Sequence, residues 1–273
     1  MKVINLEGKK IREINLPKQF SEPYHPNLIK RAILAIHGNK RQPYGASPRA
    51  GLRYSSTLSK RRKKYKGSYG KGISRTPRKV MWRRGTQFGY VGATAPGTRG
   101  GRKAHPPKAE KIFSKKINVK ERRKAIRSAL AATFNLELMK KRNHQIPEEF
   151  PFIIEDNFEN IEKTKDVKDI LKKLGFEKEL ERCEKKKVRA GKGKTRGRKY
   201  KKKTGPLVVV SKKCKLEKSI INIPGLEIME IKNINAELLA PGTHAGRLTI
   251  YTESAINMLE KEKLFEKWMI YIK

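Results

Sequence analysis

Apolar positions in this 273-residue chain fall into helical and strand rhythms at both ends, separated by a long stretch that has neither. Residues 2–6 and 11–16 set Val, Ile and Leu among polar residues on either side of Glu7-Gly8-Lys9-Lys10, which predicts two short strands joined by a turn. From Pro26 to His37, Leu28, Ile29, Ala32, Ile33 and Ile36 recur at helical spacing, with Pro26 in the first turn and Gly38 as the C-terminal stop. Periodicity then disappears from Asn39 to Pro107. Of the 21 glycines, 12 lie between Gly38 and Gly101, and four prolines are scattered there among Arg, Lys, Ser and Tyr. Such a composition cannot build a core. Loops beyond roughly 12 to 15 residues are functional or disordered, so this one is expected to extend from a folded body. Half its length at about 3.3 Å per residue reaches on the order of 100 Å.

Regular patterning resumes at Asn118, which with Glu121 forms an N-x-x-E capping box ahead of Ala125, Ile126, Ala129, Leu130, Thr133 and Phe134 on one helix face. Residues 150–155 and 207–211 are short apolar runs that read as buried strands, the second favoured by Val208-Val209-Val210. A helix over 161–174 turns Val167, Ile170, Leu171 and Leu174 inward and ends at Gly175. Strands over 227–231 and 248–251 and a helix over 252–263 complete the pattern. Strand and helix alternate, and several strands are continuously apolar. The predicted fold is a single three-layer α/β/α domain with a mostly parallel sheet, carrying a long extended basic loop and a shorter basic segment.

Charge sharpens this picture. The formal net charge is +41, far more than solubility requires, so the chain needs a polyanion. Residues 23–109 hold 22 basic residues and no acid, and residues 185–206 hold 12 and no acid, so 34 of the 41 excess charges lie in two segments. Elsewhere acids and bases nearly balance. No run approaches the roughly 18 apolar residues of a spanning helix, and Met1-Lys2-Val3-Ile4-Asn5 lacks a signal peptide's apolar region, so no membrane partner is expected. Cys183 and Cys214 are isolated, which supports neither a disulfide framework nor a zinc site and suits a reducing interior.

Enzyme signatures are missing as well. Residues 191–197 space their glycines G-x-G-x-x-x-G and precede a strand, whereas a dinucleotide loop follows one. The five histidines lack ligand spacing, and the pairs Glu148-Glu149 and Glu155-Asp156 flank one strand at opposite ends as solvated carboxylates, the second pair suiting the dipole of the following helix. No catalytic residue, cofactor or metal is assigned. The basic segments do offer nucleic-acid chemistry: Lys60-Arg61-Arg62-Lys63-Lys64-Tyr65-Lys66 is a dense cluster, and Tyr44, Tyr54, Tyr65, Tyr69, Trp82, Phe88 and Tyr90 run through the loop. Arginine forks to phosphate oxygens while rings stack on unpaired bases. Free of RNA, such a loop is expected to be disordered and to order as phosphates neutralise it. An RNA-modifying enzyme and a nonspecific basic nucleic-acid-condensing protein are the alternatives.

Four stretches then carry a resemblance. Residues 189–200 (RAGKGKTRGRKY) followed by 205–210 (GPLVVV), residues 41–45 (RQPYG) with Ala50-Gly51, residues 99–107 (RGGRKAHPP), and residues 239–253 (LAPGTHAGRLTIYTE) resemble signatures of the universal large-subunit ribosomal protein four family, in its archaeal and eukaryotic branch, with the archaeal type favoured. The resemblance implies a body of residues 1–38 and 110–273, a ribosomal-RNA-binding loop of residues 39–109 that reaches the peptide exit tunnel, and an RNA-binding segment of residues 185–206. It also implies large-subunit RNA, neighbouring large-subunit proteins and the nascent peptide as partners, in the cytoplasmic ribosome. The RNA contacts assigned on these grounds are Arg41, Arg49, Arg53, Lys60, Arg61, Arg62, Lys63, Lys64, Lys66, Arg75, Arg78, Lys79, Trp82, Arg83, Arg84, Arg99, Arg102, Lys103 and His105 in the loop. In the shorter segment they are Arg189, Lys192, Lys194, Arg196, Arg198, Lys199 and Tyr200. The tunnel-lining tip is assigned to Lys71, Gly72, Ile73, Ser74, Arg75, Met81, Arg83 and Arg84.

Overall fold

The computed structural model describes residues 1–56, 58–64 and 67–266. Contacts divide the chain into two compact units, one of residues 1–39 together with the chain from Lys115 onward, the other Lys40–Ser114.

The first unit is built on a six-stranded sheet. Its strands are β1 (Lys2–Ile4), β2 (Lys10–Glu13), β5 (Phe152–Ile154), β8 (Leu207–Val210), β9 (Glu227–Glu230) and β10 (Thr249–Thr252), in the order β2-β1-β5-β10-β8-β9. Only the β1–β2 pair is antiparallel; the other four pairings are parallel. Side chains alternate between the faces, as the two-residue period of a strand requires. Val3, Ile153, Leu207, Val209 and Tyr251 enter one core, while Ile4, Phe152, Ile154, Val208, Val210 and Ile250 enter the other. Against the first core pack α1 (Pro26–Lys40), α2 (Val119–Ala132), α7 (Ala236–Leu239) and α8 (Glu253–Lys261). Against the second pack α4 (Thr164–Lys173) and α6 (Leu216–Ile221), with Met139 of α3 (Leu136–Lys141). The three layers and the mostly parallel sheet agree with the sequence pattern.

Several local expectations need correction. Helix α1 does not stop at Gly38 but runs through it to Lys40. The capping box at Asn118 is not made: its side chain forms no cap bond, and Glu121 reaches Arg31 at 3.0 Å instead. The helix expected from Ile161 begins at Thr164, after a 3-10 turn over Asp156–Asn160. Asp156 does not serve the helix that follows it; its Oδ1 accepts the Ser254 N–H at 2.7 Å, at the start of α8. Four short helices had no counterpart in the pattern: α3, α5 (Glu177–Glu184), α6 and α7.

The supposedly featureless loop also contains regular structure. Strands β3 (Arg78–Arg84) and β4 (Gln87–Gly92) form an antiparallel hairpin, and β6 (Lys187–Val188) pairs with β7 (Tyr200–Lys201) in a smaller one. No described residue of 40–114 belongs to either core cluster. Among the described residues no helix is long and apolar enough to cross a membrane, and no group of three or more His, Cys, Asp or Glu could hold a metal ion.

Candidate nucleic-acid interface

The second unit, Lys40–Ser114, is the arm; the first-unit residues that flank it in the chain are joined, Asn39 Oδ1 accepting the Lys115 N–H at 3.1 Å. Within the arm its two limbs approach closely. The Ala46 N–H donates to Pro107 O at 2.9 Å. A Cβ on Gly51, whose φ is +74°, would lie 2.6 Å from the Arg102 backbone, so glycine is required there by both conformation and space. Nearby, Tyr44 and Phe113 stack at 5.6 Å and 12°, and the Arg41 guanidinium sits 4.2 Å from the Phe113 centroid. Phe113 was missed in the sequence because 72 positions separate it from Arg41 and nothing local marks the pair.

The β3–β4 hairpin turns on Gly85-Thr86, with Gly85 at φ +56°, the positive φ that a type II′ turn needs at its first position. The register slips between Val80 and Trp82, leaving Met81 as the extra residue of a bulge. Trp82 lies opposite Gly89, where a Cβ would come within 2.1 Å of the indole Nε1. Rings and cations gather on this hairpin. Phe88 and Tyr90 stack at 5.5 Å, and the Lys71 ammonium lies 5.2 Å from each ring. Arg83 stands 5.7 Å from Phe88, Arg75 lies over Tyr69 at 5.4 Å, and Lys79 lies over Tyr54 at 3.8 Å. Arg78 donates to Ser74 O and Oγ, and Arg53 to Ser47 Oγ.

With no carboxylate between residues 23 and 109, these cations rest on π faces, hydroxyls and carbonyls. An exposed cation–π contact contributes only about 0.5–1 kcal/mol, far less than a buried ion pair would hold, so phosphate can displace it. Among the assigned arm residues, Arg41, Arg49, Arg53, Lys60–Lys64, Arg75, Trp82–Arg84, Arg99, Lys103 and His105 are exposed, while Arg78, Lys79 and Arg102 are half-buried. Of the assigned tip, Lys71, Gly72, Ser74 and Met81 are exposed and Ile73 is half-buried. Lys66 and Tyr65 lie outside the described residues.

The smaller hairpin presents Lys192, Lys194, Arg196, Arg198, Lys199 and Tyr200 to solvent, whereas Arg189 folds back, its Nε donating to Arg198 O at 3.1 Å. Its return limb is clamped to the body. Arg247, fully buried, donates from Nε to Gly205 O at 2.9 Å and from Nη1 to Glu227 at 2.7 Å. Arg182 donates to Thr204 O at 2.8 Å. The Cys183 Sγ packs where a Cβ on Gly205 would stand, and burial pushes that thiol up to about 11. A buried network underlies the clamp: Glu179 accepts from His144 Nδ1 at 2.7 Å, from Arg182 Nε and Nη2 at 2.7 and 2.6 Å, and from the Gln145 N–H at 2.9 Å. Burial opposes the Glu179 charge, but the Arg182 and His144 bonds outweigh it and hold the carboxyl below its ordinary range. Burial dominates at His144 and keeps the imidazole neutral.

The model of the "Ribosomal protein L4/L1 family" matches residues 14–262. The chain is similar to the large ribosomal subunit protein uL4 of Nanoarchaeum equitans, 51% identical over 262 residues covering 96% of this chain and 97% of that protein. It is 43% identical to the uL4 of Archaeoglobus fulgidus, covering 94% and 97%, and 44% identical to that of Methanosphaera stadtmanae, covering 97% of each. With a family match over nearly its whole length and curated relatives aligned end to end, the chain belongs to the ribosomal protein L4/L1 family.

Proposed function

We propose that this chain, a structural constituent of the large ribosomal subunit in the cytoplasm and not an enzyme, organises large-subunit RNA through its arm and its smaller basic hairpin. The observation that carries the proposal is the coincidence of charge and structure: the two acid-free segments expose their cations, beside stacked rings in the longer one and beside Tyr200 in the shorter. Residues 39–109 act as the RNA-binding loop, residues 185–206 as a second RNA-binding segment, and residues 1–38 with 110–273 as the body. Arginine and lysine neutralise phosphates where RNA segments converge, and many weak contacts fix the arm. Each phosphate contact adds about 0.7–0.9 to the slope of log K against log salt, so binding is steeply salt-dependent. The stretch from Lys71 to Phe88 lines the peptide exit tunnel and meets the nascent chain, with neighbouring large-subunit proteins beside it.

Photocrosslinking from a stalled nascent chain in assembled subunits tests the tip, and crosslinks confined to residues 1–39 and 115–266 would overturn that assignment. Crosslinking to RNA from Arg49, Arg53, Arg61, Arg62, Arg75, Arg78, Arg83, Arg84, Arg99 and Arg102 tests the interface; contacts with protein or solvent alone would refute it. A nonspecific condensing protein would instead sediment apart from ribosomes in a sucrose gradient at moderate salt.

A further inference from the structure

A cleft of about 560 Å³ opens on the body where the smaller hairpin joins it, and seven of its nine lining residues are Arg or Lys. Arg142 and Arg182 lie deep in it, while Lys185, Lys187 and Lys201–Lys203 are exposed around them. None belongs to the hairpin's tip, which carries the contacts assigned above.

Both guanidiniums are already oriented. Arg182 is fixed by Glu179 and by Thr204 O, and its Nη1 remains unenclosed, with no hydrogen bond to a described residue. Arg142 spends Nη1 on the carbonyls of Pro241 and His244, leaving Nη2 in the same condition. Glu179, fully buried, is the counter-charge of Arg182 and is otherwise saturated by His144 and Gln145, so Arg142 and the rim lysines have no carboxylate among the residues lining the cleft. Burial first, then the charges of Arg247 and Arg182, push the Arg142 guanidinium down to about 10, whereas the Glu179 bond holds Arg182 above its ordinary range. The lining has no carboxylate for a metal and no apolar wall for a hydrophobic ligand. What it offers is two oriented guanidiniums, each with one terminal nitrogen to spare, ringed by ammonium groups, a match to the oxygens of a phosphate. Lys201–Lys203 continue directly from exposed Arg198, Lys199 and Tyr200, a line of cations with a stacking ring that suits repeated phosphates carrying bases more than a folded acidic surface.

We infer that this cleft is a built phosphodiester site on the body, in which Arg142 and Arg182 grip one backbone phosphate of RNA while the lysines take its neighbours. The inference rests on the RNA-binding reading above and names a contact independent of the arm.

Lysine-acetylation footprinting of the full chain, read by mass spectrometry, tests it with deproteinised archaeal large-subunit RNA, with millimolar inorganic phosphate and with polyglutamate. The RNA is expected to shield Lys185, Lys187 and Lys201–Lys203, and the other two anions to leave them reactive. The double variant Lys187→Glu with Lys202→Glu should weaken RNA binding about tenfold near physiological salt and flatten the salt slope by roughly 1.4–1.8 units. Both side chains are exposed, so folding is not at stake. Lys165→Glu with Lys168→Glu, an equal charge change at exposed sites on α4, should leave the slope unchanged. If the RNA binds fully while the cleft lysines stay reactive, or if both double variants weaken binding equally, the cleft assignment falls and RNA binding stands. If phosphate or polyglutamate shields them as well as RNA does, the ligand is a free anion or an acidic protein surface and the inference is overturned. If the unaltered chain binds no RNA, the RNA-binding reading itself fails and takes the cleft with it.

Discussion

Glu179→Gln isolates the charge at the centre of the buried network with almost no change of shape. The carboxylate has no exposed surface and accepts four hydrogen bonds, two of them from Arg182 at 2.6 and 2.7 Å. Glutamine keeps one accepting oxygen and turns an NH₂ toward donors that cannot receive it, leaving the largely buried Arg182 without its counter-charge. Removing one partner of a buried pair costs about 3–5 kcal/mol. Arg182 keeps Thr204 O at 2.8 Å and some access to water, so the low end, about 3 kcal/mol, applies. With a urea dependence of about 2–3 kcal/mol per molar, the unfolding midpoint should fall by about 1–1.5 M. The assay is urea denaturation of the full chain followed by far-UV circular dichroism at pH 7 in moderate salt. Glu181→Gln, an exposed site on the same helix, serves as the reference and should not move the midpoint. A Glu179→Gln midpoint indistinguishable from that reference would refute the reasoning.

Other outcomes follow from the same geometry. Acid should destabilise the body in two stages. His144 is held below its ordinary value of 6.5, so the unfolded chain binds the extra proton first and stability drops as pH falls below about 6.5; Glu179, held below 4.5, adds a further loss as pH falls through its lowered folded value. Denaturation midpoints that stay flat from pH 7 to about 5 would contradict the first stage, and the absence of a further fall below pH 4.5 would contradict the second. Gly246→Ala combines φ +87° with a Cβ 2.7 Å from the Leu138 carbonyl carbon, whereas Gly242→Ala has φ +75° and open space. The second should cost about 1–2 kcal/mol for the left-handed backbone and the first clearly more, as compared by thermal melts. Deleting residues 60–90 should leave a soluble body with a cooperative melt, because both core clusters lie outside the arm; loss of cooperativity would show that the boundary is misplaced.

Much of the body was legible because its signals are local. The runs at Phe152–Ile154 and Leu207–Val210 are apolar at every position, as strands buried on both faces must be, and the stripes of α1, α2, α4 and α8 span enough turns to reveal their period. The β3–β4 hairpin was hidden because neither of its faces is buried, so no alternation marks it: Arg78, Lys79, Val80, Met81, Trp82, Arg83 and Arg84 run charged, apolar, charged in blocks. Helices α3, α6 and α7, of four to six residues, are too short for a period to show. Glu121 left the capping position because a partner 90 residues away, Arg31, was within reach.

The order of residues alone determined that residues 23–109 carry no carboxylate, that most of the net charge lies in two segments, and that strands and helices alternate around them. These are properties of composition and short-range spacing, and folding cannot change them. Only the tertiary structure decided which cations meet: Arg142 and Arg182 beside Lys185, Lys187 and Lys201–Lys203, with Glu179 closed off beneath them. The reason is physical. Whether a charge is neutralised depends on distances of a few ångströms between residues far apart in the chain, and those distances are set by how α3, α5 and the base of the smaller hairpin pack together.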